Sequence, residues 1–247
     1  MNQTISIQNV SKSFGKKVVL KDINFEIMEG RIYGFIGPSG AGKTTLVKMI
    51  VGMDVPDQGS IYLLGEKMPN LNMLQQIGYM AQSDALYKEL TGKENLMFFA
   101  SLYHLNKLER KSRIEYAAKL VNLTADLNKK VSAYSGGMRR RLSLAIALIQ
   151  NPKVLILDEP TVGIDPELRL SIWNELLRLK NEEGKTIIVT THVMDEADKC
   201  DYISMVREGS LIATGTPDQL KEKYKAHNLD EVFLAAGRLI NENSSAY

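Results

Sequence analysis

The segment Gly37-Pro38-Ser39-Gly40-Ala41-Gly42-Lys43-Thr44 fits the pattern G-x-x-x-x-G-K-[ST] at every fixed position, and it constrains the fold more than any other stretch of the chain. Such a loop works between a strand and a helix. Before it, the apolar run Ile32-Tyr33-Gly34-Phe35-Ile36 predicts a buried strand; after it, Thr45-Leu46-Val47-Lys48-Met49-Ile50-Val51 predicts a helix with one apolar face. Glycines let successive backbone N–H groups turn toward a phosphate, and the helix adds the positive end of its dipole. Lys43 is then placed to reach the β- and γ-phosphates of a nucleotide, and the Thr44 hydroxyl to ligate Mg²⁺, with Pro38, Ser39, Ala41 and Thr45 completing the cradle. An ordinary glycine-rich turn is the plain alternative, and the flanking strand and helix argue against it.

A second apolar run, Val154-Leu155-Ile156-Leu157, ends in Asp158-Glu159-Pro160 and reads as a central parallel strand with both faces covered. Its carboxylates stand at the carboxyl end of the strand, where open α/β sheets bind ligands. There Asp158 would hold Mg²⁺ through water and Glu159 would polarise the water that attacks the γ-phosphate. Acidic residues after a strand often only begin a turn, but the loop at 37–44 and this pair explain one another. Between them lies Tyr134-Ser135-Gly136-Gly137-Met138-Arg139-Arg140-Arg141. Ser135 is a good helix N-cap, and Gly136 and Gly137 leave N–H groups uncovered at the start of the helix over 142–149, which makes an anion site. Two anion sites, at Lys43 and at Ser135, could bind two phosphates of one chain or lend the second to a partner's nucleotide.

In this order the motifs resemble the ATP-binding cassette (ABC) ATPases, and the likeness covers nearly the whole chain. Four more positions carry it. Gln82, after Ile77-Gly78-Tyr79-Met80-Ala81, resembles the glutamine that touches Mg²⁺ and relays its state to a partner; Ser135-Gly136-Gly137 resembles the signature. Asp165 resembles the dimer-facing aspartate, and His192, after Ile187-Ile188-Val189-Thr190-Thr191, the γ-phosphate switch. Phe14 falls where the family places an aromatic ring against adenine, and its flat apolar face suits stacking as well as strand core. The resemblance implies an α/β fold: a P-loop NTPase core with a RecA-like, mostly parallel sheet, an N-terminal antiparallel β subdomain and an inserted helical subdomain. It also implies ATP and Mg²⁺ as cofactors. Two chains, identical or paralogous, would stand head to tail, each ATP held between one chain's loop and the other's signature. Tyr134 and Met138 replace the commoner leucine and glutamine of the signature. With residues 161–166, 191–197 and 228–234, they resemble the exporter branch typified by daunorubicin-type drug-resistance ATPases.

Composition fits that likeness. The 247 residues suffice for one large α/β domain or two lobes, and a net charge of +2, from 31 basic and 29 acidic residues, gives no electrostatic case for nucleic acid. The single Cys200 forms no internal disulfide, no run approaches a membrane span, and the first residues do not begin a signal peptide, so the expected location is cytoplasmic, peripheral to the membrane through a permease. A soluble iron–sulfur cluster assembly ATPase is the alternative. A DNA-repair or chromosome-maintenance ATPase is excluded because the stretch between Lys43 and Ser135 holds no extended heptads.

The expected organisation is a single ABC ATPase domain over 1–247. Residues 1–84 and 150–216 form the nucleotide core, 85–149 the helical lobe, and 217–247 a helical tail frayed from 241. Strands are expected at 5–8 and 18–20, and a hairpin at 202–213 turning through Arg207-Glu208-Gly209. Arg139-Arg140-Arg141 reads either as a solvated basic face or as a source of potential near a partner's polyphosphate. Leu86, Tyr87, Leu90, Met97, Phe98 and Phe99 read as lobe core or as the surface that receives the permease. His104 and His227 are expected to be surface residues.

Overall fold

A computed structural model describes residues 2–83, 85–103 and 105–244. Asp84, at the expected lobe boundary, His104, and residues 245–247 of the expected frayed end lie outside them. In chain order the elements are β1 (Gln3–Phe14), β2 (Lys17–Met28), β3 (Ile32–Ile36), α1 (Lys43–Ile50), β4 (Gln58–Leu63), β5 (Glu66–Lys67) and β6 (Ile77–Met80). There follow α2 (Gly92–Ser101), α3 (Lys107–Leu120), α4 (Gly136–Leu148), β7 (Val154–Asp158), α5 (Pro166–Glu183) and β8 (Thr186–Thr191). The chain ends with α6 (Met194–Ala197), β9 (Tyr202–Arg207), β10 (Ser210–Gly215), α7 (Pro217–Tyr224) and α8 (Leu229–Ser244). Two compact units contain them, one of residues 1–71 and 188–247, the other of residues 72–187.

In the first unit, Ile23, Phe25 and Ile27 of β2 are buried while Asn24 and Glu26 between them are exposed, the pattern of an antiparallel strand with one covered face, whereas β1 buries Thr4 and Ser6 along with Ile5, Ile7 and Val10. Their sheet runs β2-β1-β4-β5. β3 is buried along its whole length and pairs parallel to β9, with Tyr33 opposite Tyr202 and Ile36 opposite Met205. β9 returns into β10 through a two-residue turn at Glu208 and Gly209, both with positive φ (49° and 79°). That is a left-handed pair whose twist matches the strands it joins. Arg207, read as part of the turn, belongs to the strand. α8 runs on through residues 241–244.

In the second unit, β6 lies parallel to β7, Ile77 opposite Val154 and Met80 opposite Leu157. α4 packs on both strands, so closely at Gly78 that a side chain there would strike the carbonyl of Ala147. Leu96, Ala100, Ala117, Ala118, Leu142 and Ala145 fill the space among α2, α3 and α4. Small residues on α3 allow the close approach, and each fully buried leucine contributes roughly 1.5–3 kcal/mol. Capping boxes start α2 (Thr91 with Glu94) and α3 (Asn106 with Glu109). At the far end of α4, Arg113 donates from Nε to the carbonyl of Ile149 (3.0 Å) and from Nη2 to that of Leu148 (2.6 Å). Orphan carbonyls of the helix terminus are thereby satisfied by a side chain from its neighbour.

Candidate active site

The loop in the first unit is shaped by glycine where no other residue fits. A Cβ on Gly42 would stand 2.7 Å from Leu20 Cδ2 and 2.8 Å from the carbonyl of Val19, and its φ of 110° lies in the region that L-residues avoid. α1 begins at Lys43, two residues earlier than the apolar periodicity predicts, because the loop geometry sets its first turn. Lys43 is buried, and its ammonium donates to the carbonyls of Gly37 (2.6 Å) and Pro38 (3.0 Å). The cation is thus held against its own loop, with the N-terminal N–H groups of α1 beside it.

Phe14 ends β1 with 53 % of its surface exposed, followed by Gly15 in the left-handed region. Lys12 Nζ lies 5.3 Å from the ring centroid. An aromatic ring left this open is available for stacking rather than spent in strand core. His192 follows the buried strand β8 and is exposed. The Thr191 hydroxyl holds its turn in place, donating to buried Glu196 (2.9 Å) and accepting from the backbone N–H of Val193 (3.0 Å).

The second unit holds the acidic pair. Asp158 closes β7 and is fully buried; Glu159 follows with φ of 54°. A non-glycine residue in that region costs on the order of 1 kcal/mol or more and persists only where its surroundings hold it. What holds it is Arg140. Its Nη1 donates to the carbonyls of Ala81 (2.7 Å) and Gln82 (2.9 Å), and its Nη2 to those of Asp158 and, at 2.6 Å, Glu159. The same guanidinium therefore clasps the ends of both parallel strands. Across the gap between those ends, Gln82 Nε2 donates to Glu159 Oε2 at 3.4 Å. Burial, and then the charge of Asp158, push the phenol of Tyr79 on β6 up to about 12, so it stays protonated throughout the physiological range.

The signature starts α4 as its sequence predicts: Ser135 is the N-cap and its hydroxyl accepts from the N–H of Met138 (3.2 Å). Ser135 and Gly136 are exposed, and a Cβ on Gly136 would meet open space, so that glycine is not demanded by packing. Asp165 is likewise an N-cap, accepting from Leu168 N–H (2.9 Å) at the start of α5.

The three arginines differ from the reading as a solvated basic face. Arg140 is buried; Arg139 donates to the Tyr134 carbonyl (2.6 Å) and Arg141 to that of Asn122 (2.9 Å), so all three guanidiniums bind main-chain carbonyls. Only the spacing to strand ends, invisible in one dimension, decides this. Tyr134 also departs from its reading as a family marker alone: it is buried, and its hydroxyl donates to the carbonyl of Asp126 (2.8 Å).

Over residues 20–162 the sequence matches the family described as ABC transporter. The chain belongs to this family. Nod factor export ATP-binding protein I of Burkholderia lata is 38% identical over 246 residues, covering 98% of this chain and 81% of that protein. ABC transporter G family member 20 of Dictyostelium discoideum is 38% identical over 97% of this chain and 33% of its own length. Among solved structures, the ATP-binding subunit of an ABC transporter superposes with a TM-score of 0.87 at 27% identity, covering 95% of this chain and 99% of that one. A dimeric post-hydrolysis state of an ATP-binding cassette bound to ADP and Pi superposes with a TM-score of 0.80 at 29% identity, covering 86% and 98%. The fold is that of an ABC ATPase, with the parallel strands and the antiparallel N-terminal sheet that the sequence predicts, and the function is that of an ABC ATP-binding subunit, an ATPase. An iron–sulfur assembly role is not favoured by these relatives. No described helix is long and apolar enough to cross a membrane.

Proposed function

We propose that this ABC ATPase drives export through a separate membrane subunit, working as a head-to-tail dimer with ATP sandwiched between one chain's loop and the other's signature. The observation that carries the dimer is the exposed N-terminus of α4: Ser135 caps it and a Cβ on Gly136 would meet open space, which suits an anion arriving from outside. Export is supported by the relatives named as Nod factor exporters, which match nearly the whole chain.

In this reading the loop over 37–44 and Thr45 bind the triphosphate, Lys43 neutralises the γ-phosphate, and Phe14 stacks on adenine. The oxygen donors Thr44, Gln82 and Asp158 suit Mg²⁺, a hard cation that prefers hydroxyl, amide and carboxylate oxygen. When bound, Mg²⁺ supplies charge neutralisation at the β- and γ-oxygens. Glu159 accepts the proton of the attacking water, oriented by its hydrogen bond from Gln82. His192 senses the γ-phosphate, and Asp165 faces the partner chain while capping its own helix. Residues 85–149 form the lobe that shifts when Gln82 changes partner.

The membrane subunit is expected at the ring cluster of Tyr87, Phe98 and Phe99. Tyr87 and Phe98 are packed edge to face at 4.8 Å yet are 48 % and 38 % exposed, with Met97 beside them 47 % exposed. Three large apolar side chains left open together favour an interface over lobe core.

Glu159→Gln should stop turnover and accumulate dimers in ATP. Sedimentation velocity of that variant tests the sandwich, and finding only monomers at saturating ATP would falsify it. Export is tested by transport into vesicles holding the chain with its membrane subunit; ATP-independent uptake would overturn the coupling.

A further inference from the structure

The guanidinium of Arg140 reaches two strand ends at once, and each end carries a residue assigned to hydrolysis. Nη1 serves the carbonyls of Ala81 and Gln82 and Nη2 those of Asp158 and Glu159. These are the residues immediately beyond Met80 and Leu157, which face each other in the β6–β7 ladder. The fork is planar, so its two ends cannot move independently: the 81–82 peptide and the 158–159 peptide are held at a fixed separation by one rigid group. Across that separation runs the Gln82–Glu159 hydrogen bond, which at 3.4 Å is long enough that a small change in spacing makes or breaks it.

Arg140 belongs to α4, the helix that Ser135 caps. Arg140 lies five positions beyond the cap, about 7–8 Å along a continuous helix, with no break between them. A displacement of the Ser135 end therefore carries the guanidinium with it. Glu159 has a left-handed backbone, and two of the four carbonyls in the clasp belong to it and to the residue before it.

We propose that Arg140 is a positioning residue that couples the two nucleotide sites of a dimer. When the partner's γ-phosphate draws on Ser135, α4 shifts, the clasp on residues 81–82 and 158–159 shifts with it, and Glu159 of the same chain takes up its hydrolytic position. Occupancy of one site is thereby reported to the carboxylate that acts at the other, and by linkage the effect is reciprocal for binding. This rests on the dimer reading above. Simple structural glue is the competing role, and it makes a different prediction: loss of the clasp would lower affinity and turnover together and leave cooperativity as it was.

The test compares full-length wild type with Arg140→Gln and Arg140→Lys. Glutamine can serve one strand end but not both, and lysine keeps the charge without the fork. Three quantities are read: nucleotide affinity with a fluorescent ATP analogue, kcat with its Hill coefficient, and the thermal midpoint. Expected for Arg140→Gln are a lowered midpoint, because buried carbonyls lose their donor, nucleotide affinity close to wild type, kcat about 100-fold lower, and a Hill coefficient fallen to unity. Arg140→Lys should lose cooperativity equally with a smaller fall in kcat. If glutamine prevents folding, lysine carries the test. A Hill coefficient unchanged in the folded variants overturns the coupling, as does a fall of affinity in step with kcat. Failure of the Glu159→Gln chain to dimerise in ATP overturns the dimer reading and the coupling with it; dimerisation with undiminished cooperativity in the Arg140 variants overturns the coupling alone.

Discussion

The phenol of Tyr134 occupies the place where a side chain on Gly92 would stand: a Cβ built there collides with the Tyr134 hydroxyl oxygen. That hydroxyl donates to the Asp126 carbonyl, so one ring joins the start of α2, the segment before the signature and the loop after α3. Gly92→Ala is therefore an overpacking change and should cost about 1–3 kcal/mol. Calorimetry should record a fall of about 2–4 °C per kcal/mol, with ATP affinity preserved. An unchanged midpoint would mean that the ring moves aside freely.

Lys43→Ala removes the ammonium that bridges the Gly37 and Pro38 carbonyls. Nucleotide titration should show affinity reduced by about 10–100-fold, the loss of one to two charge-assisted contacts. The loop itself should loosen, visible as faster amide exchange over residues 37–42.

Replacing Phe14 separates stacking from strand packing. Because the ring is half exposed, Phe14→Ala should leave the thermal midpoint within measurement scatter. ATP affinity should fall by roughly 5–100-fold, the equivalent of a base–aromatic stack of about 1–3 kcal/mol. Phe14→Tyr should restore it. Equal binding by all three proteins would remove the ring from the site.

Tyr87→Glu and Phe98→Glu place charge in the exposed ring cluster. If that cluster seats the membrane subunit, ATPase activity and stability of the isolated chain should hold while recovery with the membrane fraction collapses. Recovery equal to wild type would move the docking surface elsewhere.

Arg113→Ala strips the carbonyls of Leu148 and Ile149 of their donors. The expected loss is about 1–3 kcal/mol, read as a lower denaturant midpoint at unchanged slope.

What could be read in one dimension were features whose cause is local. The loop at 37–44, the apolar strands before it and before Asp158, the N-cap at Ser135 and the turn at Glu208-Gly209 each follow from a few adjacent residues. What could not be read depends on where two distant segments meet. Nothing in Arg139-Arg140-Arg141 tells that its middle member is buried against carbonyls some sixty and twenty positions away. A cationic triplet at a helix start reads as solvated because cations oppose the dipole there, and carbonyl acceptors from other strands reverse that balance. Tyr134 was legible as a departure from a commoner residue; its reason, the space above Gly92, was not. Asp165 shows a third case, in which capping its own helix is a local duty that any reading of its partner-facing role has to share.

In the proposed dimer, Ser135 would carry two duties on one oxygen. Its lone pairs accept from Met138 N–H, while its hydrogen remains available to an approaching phosphate. Alanine scanning at this position will confound them, because losing the cap alone removes about 0.5–2 kcal/mol of helix stability, whereas glycine forfeits only a few tenths. A glycine replacement is thus the instrument that separates the two: it keeps the helix start and deletes the hydroxyl, so any deficit it shows in turnover belongs to the nucleotide and not to the fold.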